Sequence, residues 1–334
     1  MLEIRDVDTA DAAQLRGWFD VWRASQRHRP DDLLPTWEAS HKPLSTPRPD
    51  FDLSLFGVHD DGELVGAGLL NLPMDDNLTV SYADVMAHPD HRRRGVGSAV
   101  LAEIERRSRA AGRERVLTEV FVPAGASDDL PGDEAFAVAR GYEVANRESS
   151  KAVDVVASEP LWPALEEQAA AALGAYRVVT WRDHCPEEYV ESFGVALSRV
   201  MSLIPQGELA LEDREWTVAQ VRAAEERRRE IGLATLESAA IAPDGTVVGL
   251  TGLRVHVVDP RVAHVSVTMV LPEHRGHRLG LATKLDNHRA LRAAFRDCRL
   301  VVTSNADVNT HMNAINDAMG YRVLEQLLEC QKHL

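Results

Sequence analysis

The strongest constraint on this chain is its likeness to itself. A shift of 183 residues lays Asp61, Gly62, Val65 and Gly66 on Asp244, Gly245, Val248 and Gly249 without a gap. The same shift lays Leu70, Pro89, His91, Arg92, Gly97 and Ala99 on Leu253, Pro272, His274, Arg275, Gly280 and Ala282. One register held over that distance marks two copies of one folding unit, so every later assignment has to be made twice. The length agrees, since 334 residues exceed the roughly 250 to 300 at which a single core stops growing. The expected domains are 1–155 and 175–334. Between them 156–174 is the expected connector, with Pro160, Pro163 and an Ala-rich run that reads as helix from Ala164 onward.

Within each copy the local signals agree. Asp61-Gly62 between alternating apolar runs predicts a β-hairpin joining 53–58 to 64–70. In the second copy 236–242 and 247–255 flank Pro243-Asp244-Gly245, and 262–270 follows as a further strand. Residues 99–110 and 281–295 carry helical periodicity, through Leu101, Ile104 and Arg107 and through Leu281, Leu285 and His288. Each copy therefore reads strand, strand, strand, turn, helix, strand, which is a mixed-sheet α/β (α+β) class.

The chemistry-bearing motif lies between strand and helix. In the first copy it is His88-Pro-Asp-His-Arg-Arg-Arg-Gly-Val-Gly-Ser98, a basic turn with two glycines entering a helix. Unpaired backbone N–H groups and the positive dipole end at a helix start cradle an anion, and glycine removes the side chain that would hold a pyrophosphate away. A dinucleotide-binding fold is the rival reading. It is disfavoured because the turn follows a third strand and no complete Gly-x-Gly-x-x-Gly is present.

This turn resembles the coenzyme A pyrophosphate loop of the GNAT acyltransferase superfamily, whose pattern is Arg or Gln, two residues, Gly, one residue, then Gly or Ala. Arg92, Gly95 and Gly97 match it. The second copy, Arg275-Gly276-His277-Arg278-Leu279-Gly280, keeps the first Arg and last Gly and has Arg278 where the first Gly belongs. The segments His274 to Lys284, Thr303 to Asn305 and Asn316 to Tyr321 look like the C-terminal half of actinobacterial tandem GNAT proteins. The resemblance implies two GNAT lobes, each with acetyl-CoA as co-substrate lying between splayed fourth and fifth strands. It implies binding roles for Met86, Ala87, Arg92, Arg93, Arg94, Gly95, Val96, Gly97 and Ser98 in the first lobe. In the second it implies them for Met269, Val270, Arg275 to Gly280, Ala282, Asn305 and Asn309.

Many members of the family place a carboxylate base eleven residues before the loop's first Arg or Gln. That count lands on Ser81 and on His264. Serine cannot take an ammonium proton unaided, whereas an imidazole can, and positioned proton transfer is worth about 10²- to 10⁴-fold. The plain alternative is that His264 is a strand residue facing solvent or hydrogen-bonded in the core. The family also has an asparagine opening the later helix and a tyrosine acid four residues before a Gly-Tyr pair. Asn309 and Asn316 hold these places in the second lobe, and Leu130 and Ala137 in the first, so neither lobe keeps the tyrosine. Asn316 can orient a thiolate or water but not protonate it, and His311 is a conceivable acid. The second lobe, with His264 and Asn316, is thus the expected catalyst. The first would bind coenzyme A structurally or complete a cleft, as in mycothiol synthase.

A net charge of -15 argues against a nucleic-acid or anionic-membrane partner. Cys185, Cys298 and Cys330 are widely spaced, so neither a disulfide framework nor a zinc or other metal site is expected, and a cytoplasmic setting is. No apolar run approaches the roughly 18 residues a bilayer requires. The expected reaction is direct acetyl transfer to a small-molecule amine. A non-catalytic acyl-CoA sensor and a protein N-acetyltransferase are the alternatives. Segments 23–49 and 203–215 are the expected substrate-facing surfaces, with Asp31, Asp32, Glu208, Glu212 and Asp213 available to a cation.

Overall fold

Asp61 and Gly62 both sit at positive φ, 49° and 88°. Two consecutive left-handed residues make the tight turn whose twist suits a pair of antiparallel strands. They join 51–60 to 63–73 as the sequence predicts. The structure, a computed structural model, describes residues 1–30, 33–124, 132–209 and 211–334. Asp31, Asp32 and Leu130 lie outside the described residues.

The strands in chain order are β1 (Leu2–Asp6), β2 (Phe51–Asp60), β3 (Glu63–Pro73), β4 (Val80–Ala87), β5 (Arg115–Pro123), β6 (Glu143–Asp154), β7 (Arg177–Arg182), β8 (Leu233–Ile241), β9 (Val247–His256), β10 (Asp259–Val270), β11 (Leu300–Ala306) and β12 (Arg322–His333). The chain divides into two compact units. The first is Met1–Arg147 with Gly207–Leu209 and Glu325–Leu334, and the second is Glu148–Gln206 with Ala210–Leu324. Set beside the expected 1–155 and 175–334, residues 148–155 go with the second unit and 325–334 with the first. The stretch read as connector contains the helix Trp162–Leu173, whose Trp162 and Leu165 are core residues of the second unit.

In the first unit the strands run β1-β2-β3-β4-β5-β12, with the start of β6 beyond. The helix Ala12–Ser25 buries Leu15, Trp18 and Phe19 against Leu55, Ala67 and Met86. The helix Val96–Ala110 buries Val100, Leu101 and Ile104 in a separate core with Val58, Ala83 and Val116. The second unit runs from the end of β6 through β11-β10-β9-β8 to β7. Helix Leu279–Ala294 packs with Trp162, Leu236 and Tyr321, while helix Glu187–Ser198 packs Tyr189 and Phe193 with Trp181 and Ile241. The fifth strand of each unit is flanked by a strand from the other sequence repeat: β12 pairs with β5, and β6 with β11.

One feature of each sheet positions the site. β4 and β5 are parallel neighbours at only three register pairs, from Val80↔Arg115 to Tyr82↔Leu117. β10 and β11 pair only from Val262↔Leu300 to His264↔Val302. Beyond these points the strands part. The two fourth strands also differ, because β4 pairs with β3 in unbroken register while β10 inserts Ser266 between Val265↔Leu253 and Val267↔Gly252. This β-bulge shifts the correspondence by one residue. His264, the last residue of β10 paired with β11, therefore stands where Tyr82 stands, and Ser81 corresponds to Ala263. The ungapped count that set Ser81 opposite His264 is corrected by that extra residue.

The second unit's core holds an unusual lysine. Lys284 is 1% exposed, its Nζ has no hydrogen-bond partner, and it lies 5.1 Å from the centroid of the Tyr321 ring. Burial pulls its ammonium down from 10.5 to about 7. His288, one turn on, is fully buried and neutral, with Nε2 2.8 Å from the Tyr321 hydroxyl. Between about pH 7 and 10.5 the unfolded chain holds a proton on Lys284 that the folded chain does not, so stability rises with pH across that window. Replacing Lys284 by Met is expected to stabilise the protein at neutral pH by on the order of 4 kcal/mol and to flatten that rise. Urea melts at pH 7 and pH 10 check both.

Candidate active site

The two loops share one backbone. In the first unit Pro89–His91 make a 3-10 turn, Arg93 and Gly95 are left-handed (φ 65° and 84°), and helix Val96–Ala110 starts without a side-chain cap. In the second unit Pro272–His274 make the same turn and Gly276 and Arg278 are left-handed (φ 91° and 52°). Helix Leu279–Ala294 is likewise uncapped. The left-handed positions coincide, 93 with 276 and 95 with 278, and only the place of the glycine has changed. Arg278 thus reproduces the geometry of Gly95 at a cost of roughly 1–2 kcal/mol. Both helix starts present unpaired N–H groups where a pyrophosphate can bind.

In the first unit these residues border a cavity of about 450 Å³. Ala87, Arg92, Arg93, Gly95, Val96, Gly97 and Ser98 line it together with Phe136 and Arg140, while Arg94 is not part of the lining. Arg92 is steadied by the Ser25 carbonyl at 3.2 Å, and Ser98 Oγ accepts from Arg140 at 2.6 Å. Met86 is buried against the helix Ala12–Ser25. A Cβ on Gly95 would meet nothing within 4 Å, so it is the left-handed backbone that calls for glycine there. Three lining arginines, an uncapped helix and an open floor suit a pyrophosphate.

Beside that cavity the first unit is crowded by charge. Arg29 donates two hydrogen bonds to the fully buried Glu325 (2.6 and 3.0 Å) and lies 3.5 Å from the centroid of the Phe121 ring on β5. Burial raises the Asp84 carboxyl on β4, with the Arg29 guanidinium opposing it. Ser81 is fully buried.

In the second unit the parting of β10 and β11 opens a cleft of about 380 Å³. His264, Ser266, Thr268, Asn305 and Asn309 line it opposite Val200, Met201 and Ile204. His264 is exposed at the point where the strands separate. Asn309 caps helix Thr310–Ala318 by accepting from the Met312 N–H at 3.3 Å. Asn316 is fully buried, donates to Asn305 Oδ1 at 2.6 Å, and has no partner for its own Oδ1. Arg275 to Gly280 lie outside this lining. Arg275 donates to the Val270 carbonyl, and the His277 ring lies 4.9 Å from that of Tyr176. Met269, Leu279 and Ala282 are buried in the core, and a Cβ on Gly280 would stand 3.5 Å from Ile315. His311 is exposed.

Residues 16–130 match the Acetyltransferase (GNAT) family. No curated protein matches the sequence. Among solved structures, a tandem GNAT protein from the clavulanic acid biosynthesis pathway is 26% identical, with a TM-score of 0.80 over 100% of this chain and 98% of that one. The chain has the tandem GNAT architecture. Its chemistry is acyl-CoA-dependent acyl transfer. The GCN5-related N-acetyltransferase from Sphaerobacter thermophilus shares the fold at 14% identity, with a TM-score of 0.66 over 99% of this chain and 95% of that one.

Three buried or part-buried charged residues escaped the sequence reading. Asp84 lies three residues beyond the counted Ser81, and Arg29 reaches its partner from far away in the chain. Lys284 occupies the place of Leu101, which lines a smaller cavity of the first unit, and nothing in the helix's own pattern sets it apart, since Thr283, Asn287 and His288 are buried beside it. The loop geometry yields a prediction. Gly95→Val, forcing a β-branched residue to φ 84°, should weaken coenzyme A binding to the first unit about tenfold or more, as read by calorimetric titration.

Proposed function

We propose that this tandem GNAT protein is an acetyl-CoA-dependent N-acetyltransferase of a small-molecule amine, and that transfer takes place in the second unit. The observation that carries the reading is the bulged, parted strand β10, which sets His264 and Ser266 together on an open cleft. The first unit has the more open phosphate loop, but Arg29 stands against Phe121 on the strand where a cationic amine would approach. Its guanidinium opposes such a substrate. That favours a binding role for the first unit and a reacting role for the second. The likeness to a protein of the clavulanic acid pathway supports a small-molecule acceptor over a protein one, and three free, buried cysteines suit a reducing cytoplasm.

In this reading the uncapped helix start at Leu279 and the arginines of the loop hold the pyrophosphate of acetyl-CoA. His264 takes a proton from the incoming ammonium, producing the neutral amine that attacks the thioester. Backbone N–H groups of β10 next to the bulge face the developing oxyanion, and Asn305 and Asn316 order the polar floor. The transfer is direct, with no acyl-enzyme: burial pushes the thiols of Cys185, Cys298 and Cys330 up to about 12, 11 and 11, away from nucleophilic use.

Glucosamine, spermidine, kanamycin and an amino-acid amide form a suitable acceptor panel, with free-thiol release as the readout. His264→Ala should lower kcat about 10²-fold and Gly280→Glu should abolish turnover, while Gly97→Glu leaves turnover in place. The reverse pattern, with Gly97→Glu alone abolishing activity, would move the reaction to the first unit. Binding of acetyl-CoA without thiol release from any acceptor would favour a sensor.

A further inference from the structure

The second unit contains a carboxylic acid with no role so far. Glu237 stands in the middle of β8, in a strand otherwise made of Leu, Ala, Thr, Ser and Ile, and is 8% exposed. Its register neighbours are Trp181 on β7 and Gly252 on β9. A Cβ added to Gly252 would come 2.3 Å from Glu237 Oε2 and 2.5 Å from Ser266 Oγ. Glycine at this position is what allows the carboxyl and the hydroxyl to converge over the β9 backbone. Ser266 is the extra residue of the β10 bulge, and it lines the His264 cleft.

The surroundings keep this acid poised. Burial raises its carboxyl to about 7, with Arg228 and Arg254 opposing and Glu225 reinforcing the shift. Arg228 and Glu225 come from helix Val218–Glu230, which packs on β8, and Arg254 from β9. Glu225 is itself engaged by Arg222, by His184 and by the Cys185 N–H.

Acetylating an ammonium removes two protons from its nitrogen. The first must leave before attack, and the reading above gives it to His264. The second leaves the nitrogen of the tetrahedral adduct. We propose that Glu237 accepts this second proton through the hydroxyl of Ser266. As the N–C bond forms and the C–S bond breaks, the proton on nitrogen passes to Ser266 Oγ while the Ser266 proton passes to Glu237 Oε2. Of the two protons removed, one ends on the departing thiolate and the other in solvent, so the step balances without a further reactant. Ser266 touches the reacting nitrogen, and Glu237 is a positioning residue that acts through it. The proposal rests on transfer occurring in the second unit.

Hydroxylamine separates the two transfers, because it is largely neutral at about pH 8 and needs only the second. With acetyl-CoA and hydroxylamine, Glu237→Gln is expected to lower kcat about 10²-fold at unchanged KM for acetyl-CoA. Ser266→Ala should do the same. The parent's kcat should rise as pH passes about 7, where the carboxyl becomes a base, and the Glu237→Gln profile should lose that limb. Independently of turnover, one component of the protonated-carboxyl infrared band should fade as pH passes about 7 in the parent, and the parent-minus-Glu237→Gln difference spectrum should contain that component. If Gly280→Glu abolishes turnover while Glu237→Gln keeps both rate and pH limb, the acid is structural and the proposal is overturned. If Gly280→Glu leaves hydroxylamine turnover unchanged, the second-unit reading fails and the role of Glu237 falls with it.

Discussion

The parting of two parallel strands is the constraint on which the rest of the molecule depends. A parallel pair ordinarily satisfies its backbone groups along its whole length, because a buried unpaired N–H or C=O costs free energy comparable to a lost hydrogen bond. Here β4 leaves β5 after Tyr82, and β10 leaves β11 after His264. The backbone beyond needs partners that the sheet does not supply. A ligand that brings amides and carbonyls of its own, as the pantetheine arm of coenzyme A does, answers that need. The parting also leaves each fifth strand dependent on its other edge. β12 supplies that edge for β5 over nine register pairs, and β6 supplies it for β11 over seven. The strand taken from the other repeat is therefore a requirement of the cleft, since without it the fifth strand would be held at one end only.

Two copies built to this plan have diverged in the parts that decide reactivity. The loop tolerates an exchange of arginine and glycine between its two left-handed positions, because what binds an anion there is the direction of the backbone N–H groups. The fourth strand is less forgiving. One inserted residue turns the strand, and the difference between β4 and β10 at Ser266 changes which side chains reach the opening. The first unit instead carries Arg29 locked between Glu325 and Phe121. A bidentate guanidinium on a fully buried carboxylate is expensive to move, which suits a lobe that holds its ligand rather than admitting and releasing amines.

Much of this was legible in the sequence, and the reasons are local. The Asp61-Gly62 turn, the strands around it, the helices after each loop and the positions of Arg92, Gly95 and Gly97 follow from turn chemistry and periodicity within a few residues. His264 was found by counting back from the loop and does lie at the cleft. Its counterpart in the first repeat is Tyr82 and not Ser81, because the bulge in β10 adds a residue without any change in composition that marks it. The boundaries near 147 and 325 were hidden for a different reason. Nothing in a strand's own pattern says which neighbour it joins, so the exchange of β6 and β12 is a tertiary fact. Arg29 with Glu325 and Glu237 with Ser266 are pairings of the same kind, distant in sequence or separated by a strand, and invisible to any window.

Glu237 and Lys284 do have one signature in common: each is a charged residue placed where its element is otherwise buried. A core selected only for stability would replace both with apolar residues, since an unpaired buried ionisable group is held at the expense of its charged form. Burial brings both to about 7, from below for the acid and from above for the lysine. Two groups of opposite type brought to the same neutral range in one unit, while the first unit has Leu101 where Lys284 stands, tie the instability to the copy whose strand is bulged. That coincidence is an argument from cost: destabilising groups persist where the fold gains something other than stability from them. The asymmetry in the strand and in the core is what supports the proposed division of labour, a first unit that binds and a second that reacts.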